Sequence, residues 1–236
     1  MSGLLDPRLA RIKAELSKRK VILVTAAKGG VGKTTLSALL ALALSKEKGA
    51  TLTIDADVSD PNLHVVIGVS PKTWVGEEKG IEPIKLDGLG YIGIVPFTQN
   101  KPAPLRGSEA VDAVREMLGA LDYRGYENIV IDVPPGLSDV LLDLLNNVIG
   151  DNTQILVVST PSKLSVDSTE RYVKLLKDLG FKNVVLIYND PHGIGKEPGE
   201  GLYVPYDPSL ENAFGSLQKL EETKAYAKVK AVLRNL

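Results

Sequence analysis

Lys28-Gly29-Gly30-Val31-Gly32-Lys33-Thr34-Thr35 follows the apolar run Val21-Ile22-Leu23-Val24 and leads into a long Ala/Leu-rich helical pattern. Strand, glycine-rich turn and helix are the context that a phosphate-binding P-loop requires. Gly29, Gly30 and Gly32 let successive backbone N–H groups, those of Val31 and Thr35 included, converge on one anion without interference from Cβ atoms. A helix starting at Lys33 brings its positive dipole end to the same point. The Lys33 ammonium is then expected on the β- and γ-phosphate oxygens, and the Thr34 hydroxyl on Mg²⁺. A glycine-rich turn alone is equally a tight turn; the Lys-Thr pair and both flanking elements decide for phosphate. Lys28, at the front of the loop, reads in isolation as a solvated lysine.

Working outward, Lys33–Lys46 is apolar on every side, which predicts a helix buried between a sheet and another element and ended by Gly49. Thr51–Asp55 reads as a second strand, closing a βαβ unit. It ends in Asp55-Ala56-Asp57, two carboxylates at the C-terminal edge of the sheet that carries the loop, where ligands of such sheets bind. The alternative is a polar turn with Asp57 capping the next helix. Ile129-Val130-Ile131-Asp132 is a wholly apolar strand of a buried parallel sheet ending in one carboxylate, as expected of the Asp that organises Mg²⁺ through water. Pro134-Pro135-Gly136 then forces an abrupt turn where a loop could feel the γ-phosphate. These alternations predict an α/β fold: a three-layer, doubly wound, mostly parallel sheet with helices on both faces, one domain over 1–236.

The remaining segments supply the frame. Residues 4–20 read as a basic helix capped by Asp6, with Pro7 in its first turn; a solvated edge helix is the simpler reading, a nucleic-acid or lipid contact the other. Residues 68–90 are turn-rich, with Trp74 as a packing anchor. Tyr91–Val95 reads as a third strand, and Ser108 as the N-cap of a helix through Leu121. Leu137–Ile149, Gln154–Ser159, Val166–Leu179 and Asn183–Tyr188 read as helix, strand, helix and strand. Asn189 at a strand end suits a purine edge, since an amide both donates and accepts, and equally suits an Asx turn. Pro205-Tyr206-Asp207 returns to the same edge, where a loop could cover a base. The tail 217–236 reads as one amphipathic helix striped by Tyr226, Val229, Leu233 and Leu236. Packing onto the domain and lying on a membrane both fit it.

Composition excludes several chemistries. The 236 residues hold no cysteine and two histidines, His64 and His192, which removes disulfides, thiol catalysis and thiolate-held metals from this chain. A formal net charge of −1 argues against a surface built throughout for nucleic acid. No apolar run is long enough to span a bilayer and the N-terminus lacks a signal-peptide core, so a cytoplasmic protein is expected.

With these residues in place, Lys28-Gly-Gly-Val-Gly-Lys-Thr-Thr35 resembles the deviant Walker A motif of the MinD/ParA/Mrp class of P-loop ATPases. Asp55-Ala-Asp57 resembles its switch I and Asp132 its Walker B aspartate. Asp132-Val-Pro-Pro-Gly-Leu-Ser-Asp139, Pro104-Leu-Arg-Gly107, Ser159-Thr-Pro-Ser162 and the basic N-terminal helix look most like the Mrp/ApbC branch. The resemblance implies ATP or ADP with Mg²⁺, and an ATP-dependent homodimer in which Lys28 crosses to nucleotide on the partner. It further implies slow hydrolysis with Asp57 orienting the water, and a client protein that the residues do not identify. The rival reading is a nucleotide-dependent adaptor with negligible hydrolysis that binds DNA, a membrane or a protein partner. Mrp-type carriers place a CxxC pair after the strand equivalent to Asn183–Tyr188; here Asn189–Gly201 has none, so no iron–sulfur cluster is expected.

Overall fold

Strands with no polar face must be covered on both sides, and β1 (Lys20–Ala26) and β5 (Asn128–Asp132) are buried along nearly their whole length. In the computed structural model, which describes residues 6–70, 80–95, 105–150, 153–195 and 201–233, they lie side by side at the centre of an eight-stranded sheet. The others are β2 (Thr51–Asp55), β3 (Ile84–Leu86), β4 (Leu89–Gly93), β6 (Gln154–Ser159), β7 (Val184–Asn189) and β8 (Leu202–Val204). Their order is β3-β4-β2-β5-β1-β6-β7-β8, parallel throughout except for the β3–β4 hairpin. The doubly wound α/β architecture is the expected one. The second strand, however, does not sit beside the first: β5 pairs with both β1 and β2 and separates them. The register Asp55↔Asp132 thereby places two strand-end carboxylates opposite each other.

Alternation along β1 divides the core. Ile22, Val24 and Ala26 face a cluster built by α2 (Lys33–Glu47), α3 (Leu63–Ile67) and the C-terminal helices. Val21 and Leu23 face a second cluster built by α1 (Pro7–Leu16), α4 (Ser108–Ala120), α5 (Asp139–Asp143) and α6 (Lys163–Asp178). Within α2 every residue from Leu36 to Leu44 is buried, because the sheet lies beneath it and α9 (Lys224–Val232) packs over it.

Several boundaries differ from the sequence reading, each for a local reason. α1 starts at Pro7 with Asp6 accepting from the Arg8 N–H, but it stops at Leu16 because Lys20 already enters β1. The third strand begins at Leu89, two residues early, since the Asp87-Gly88 turn closes a hairpin with β3. Gly107 at φ 56°, not Ser108, is the cap residue of α4. α5 begins at Asp139, where Ser138 accepts from the Leu141 N–H, and passes into a π-helical turn over Leu144–Val148. α6 starts three residues before the expected Val166.

The tail is two helices, α8 (Leu217–Glu221) and α9, after a short α7 (Leu210–Ala213). Thr223 separates them by accepting from the Tyr226 N–H. Tyr226, Val229 and Leu233 are buried in the α2 cluster, so the apolar stripe faces the core and not a bilayer. Trp74 and Leu236 lie outside the described residues. No helix among the described residues is long and apolar enough to cross a membrane.

Candidate nucleotide site

The loop between β1 and α2 has the backbone that its glycines were expected to allow. Gly30 and Gly32 take φ of 77° and 86°, in the left-handed region that β-carbons disfavour. Gly32 caps α2 with no side chain on the first amides, leaving that end for an anion. Gly32 is glycine for a second reason: a Cβ there would stand 2.2 Å from Asn189 Nδ2. That amide nitrogen donates to the Val31 carbonyl at 2.9 Å, so Asn189 braces the loop from the end of β7.

Asp132 is the centre of the site. It is fully buried and receives Lys33 Nζ at 2.7 Å, Thr34 Oγ1 at 2.7 Å and Ser37 Oγ at 2.8 Å. Ser37 was not singled out in the sequence; its signal is a hydroxyl one turn after Lys33 inside the Ala/Leu-rich stretch from Leu36 to Leu44. Asp55, also fully buried, accepts the Asp57 N–H at 3.2 Å and the Leu63 N–H at 3.1 Å. Asp55, not Asp57, therefore meets the first amide of α3. Asp57 instead holds its own turn, accepting from Ser59 Oγ at 2.8 Å and the Asp60 N–H at 3.2 Å. Burial, and next the charge of Asp132, push the Asp55 carboxyl well above its ordinary range. Burial also raises Asp132, against the opposing pull of Lys33, Thr34 and Ser37.

Two buried carboxylates facing one lysine are short of positive charge, and Asp55, Asp132 and Thr34 offer only hard oxygen donors. That set fits Mg²⁺, which takes one or two carboxylates and completes its shell with phosphate and water. No cluster of three or more acidic or histidine side chains able to hold a metal without such help occurs among the described residues.

The adjoining cleft, about 440 Å³, is lined by residues 28–30 and 32–35 of the loop, by Asp57, Asp60 and Asn62, by Pro135, and by an apolar wall of Val65, Val66 and Phe214. Pro134-Pro135-Gly136 reaches it because the Gly136 N–H donates to the Ala26 carbonyl at 2.7 Å. Lys28 is exposed at its mouth, with Nζ 3.4 Å from the Leu164 carbonyl. The cleft lining does not include Asn189, Pro205, Tyr206 or Asp207. Both Asp207 oxygens are engaged, accepting from the Ser209 N–H and hydroxyl and the Ala225 N–H, so it ties α9 to the chain after β8. Tyr206 is 51% exposed, its ring beside Gly193.

A glycine loop on a helix end, a lysine, a hydroxyl and an aspartate at the edge of a parallel sheet define a P-loop nucleotide site. Residues 17–204 match the family model described as ParA, NUBPL iron-transfer P-loop NTPase. The chain belongs to that family. An iron–sulfur cluster carrier protein of Rickettsia felis is 32% identical over 195 residues, covering 81% of this chain and 60% of that protein. One of Methanocaldococcus jannaschii is 29% identical over 216 residues, covering 90% and 71%. The chain thus spans little more than half the length of the first such relatives, 60% and 53%.

Among solved structures, a nucleotide-binding protein of Archaeoglobus fulgidus in complex with ADP superposes with a TM-score of 0.71 at 24% identity, covering 91% of this chain and 93% of that one. The septum site-determining protein MinD of Pyrococcus horikoshii, complexed with Mg-ADP, gives 0.64 at 22%, covering 91% and 96%. These two likenesses establish the fold.

Proposed function

We propose that this chain binds ATP with Mg²⁺ in the cleft and hydrolyses it slowly between two copies of itself, as a nucleotide-controlled dimer switch for a client protein. The observation that carries the reading is the convergence of Lys33, Thr34 and Ser37 on the buried Asp132, with Lys33 and Thr34 lining the same cleft as Asp57. Lys33 and Thr34, which line the cleft, have natural alternative partners in a phosphate oxygen and a phosphate-bound cation. Lys33 turns from Asp132 to the β- and γ-phosphates, and the amides of the loop hold the same oxygens. Held by Thr34, Asp132 and Asp55, Mg²⁺ would neutralise charge on the β- and γ-oxygens. Asp57 orients a water for in-line attack on the γ-phosphorus; the bond to the bridging oxygen breaks, and ADP and phosphate leave. A loose transition state of this kind asks for positioning and charge more than for a strong base.

A second copy is supported by the mouth of the cleft. Lys28 is exposed there, against the carbonyl of a leucine that is itself 76% exposed, Leu164. Leu137, just after the Pro-Pro-Gly turn, is 48% exposed. Apolar side chains beside an exposed cation suit a surface that is covered when the partner arrives. The family's carriers are named for iron–sulfur clusters, but no residue of this chain supplies a thiolate. The proposed cargo is therefore not a cluster held by this chain's cysteines.

Size-exclusion chromatography with light scattering, run in ATP and in ADP, tests the reading. A dimer in ATP that reverts to monomer in ADP is expected. Asp57→Ala should bind ATP, turn over poorly and prolong the dimer, while Lys28→Ala should lose the concentration-dependent part of turnover. A monomer unchanged by nucleotide, or full turnover in both variants, removes the mechanism.

A further inference from the structure

Two hydroxyls buried in β2 and β4, Thr53 Oγ1 and Tyr91 Oη, have no hydrogen-bond partner among the described residues. Thr53 pairs with Tyr91 across the parallel ladder, and two residues on, Asp55 pairs with Gly93. Residues two apart on a strand share a face, so both hydroxyls and the Asp55 carboxylate lie on the same side of the sheet, the side that α2 covers. Gly93 explains the approach of phenol to carboxylate. Its backbone is not in the left-handed region, yet a Cβ there would stand 2.4 Å from Tyr91 Oη and 3.0 Å from Asp55 Cβ. The space a side chain would fill is where the Tyr91 hydroxyl sits beside Asp55. Burial, and then the charge of Asp55, push the phenol above its ordinary range. For packing alone phenylalanine would serve better, since a fully buried hydroxyl without a partner is costly. Asp55 accepts one N–H on each oxygen, from Asp57 and Leu63, and each oxygen keeps a free lone pair.

We propose that Tyr91 is a positioning residue of the nucleotide–cation site, its hydroxyl, unpartnered among the described residues, donating a third hydrogen bond to the Asp55 carboxylate when the cation binds and so setting the face Asp55 turns to it. The inference rests on the Mg²⁺–nucleotide reading above. Outer donors to a ligating carboxylate orient it, and losing one costs roughly 10-fold or more in metal affinity.

The test is calorimetry of ADP, and of a non-hydrolysable ATP analogue, across a Mg²⁺ series and in EDTA, with thermal melting alongside. Tyr91→Phe is expected to melt at or above the wild-type temperature and to bind nucleotide normally in EDTA. The Mg²⁺ concentration giving half of its affinity enhancement should rise roughly 10-fold. Gly93→Ala, which displaces the hydroxyl without removing it, should show the same shift together with a lower Tm. A wild-type Mg²⁺ response in Tyr91→Phe overturns the proposal and leaves Tyr91 a packing residue. Absence of nucleotide binding in the wild type overturns both this inference and the reading beneath it, whereas normal binding with no Mg²⁺ shift in the variant overturns this one alone.

Discussion

Buried carboxylates stand in two stretches of the sheet's C-terminal edge, a first end at the β5–β1 centre and a second end at β7 and β8, and the two use them in opposite ways. Beside β1, Asp132 is held by the side chains of Lys33, Thr34 and Ser37, of which Lys33 and Thr34 also line the cleft. Beyond β7 and β8, Asp190 accepts the Ile194 and Gly195 N–H groups and the Tyr203 hydroxyl, and Asp207 accepts those of Ser209 and Ala225. Their titration differs accordingly. Burial raises Asp55 and Asp132. Burial also pushes at Asp190 and Asp207, but backbone N–H groups and hydroxyls outweigh it and leave both below the ordinary carboxylate range. A carboxylate tied to amides is framework. One tied to side chains that also fit a phosphate, at the cost of a raised pKa, is a site.

The largest effect that can break this contrast is expected at Lys33. Lys33→Ala removes the only cation hydrogen-bonded to Asp132 among the described residues. By comparison with the loss of single transition-state donors elsewhere, turnover should fall by roughly 100-fold or more. ADP affinity, read by calorimetry, should fall with it. Retained turnover and affinity would show that the first end is framework too.

Much of the first end was legible because its chemistry is local in sequence. Lys28–Thr35 carries its glycines, lysine and hydroxyl in one run, and Asp55 and Asp132 each close an apolar strand. The order of the strands was not legible in the same way. Nothing in β2 announces that β5 will insert beside β1, because that choice is made by packing across some eighty residues of chain. The second end was ambiguous for a different reason. Asn189 and Asp207 are polar residues at loop starts, a pattern that serves a ligand or a turn equally well. Only the tertiary contacts show Asn189 bracing Val31 and Asp207 capping α9. Tyr91 was hidden because a tyrosine in an apolar strand reads as core, and the absent side chain of Gly93 has meaning only once β4 lies beside β2.

The framework carboxylates of the second end should respond in stability and not in nucleotide binding. Asp207→Asn replaces an anionic acceptor of backbone N–H groups by a neutral one and should cost about 1–3 kcal/mol near neutral pH, with ADP affinity unchanged. The sign of its pH dependence follows from the depressed native pKa. The stabilisation is fully present above the unfolded-state value, about 4, and is lost as pH falls through the lower native value. Wild type and variant should therefore converge in urea midpoint in acid. A gap that widens on acidification, or ADP binding weakened in parallel, would make Asp207 part of the site.

The smallest effect concerns where the two ends meet, at the base. The apolar wall of Val65, Val66 and Phe214 lies on the side of Asp57 and Asp60, where the γ-phosphate and its water are proposed to sit. A base occupies the opposite end of the nucleotide. Phe214 is moreover packed against the α2 cluster, whereas Tyr206 presents a half-exposed ring next to a strand end that Asn189 locks to the loop. Tyr206→Ala is therefore expected to weaken ADP by a few-fold, within the roughly 0.5–1.5 kcal/mol that an aromatic contact contributes, and to leave Tm unchanged. Phe214→Leu, which keeps most of the packing, should bind ADP within about 2-fold of wild type. The reverse result would seat the base on the Phe214 wall and make the β7–β8 edge framework throughout, its one link to the phosphate loop being the brace that Asn189 gives to Val31.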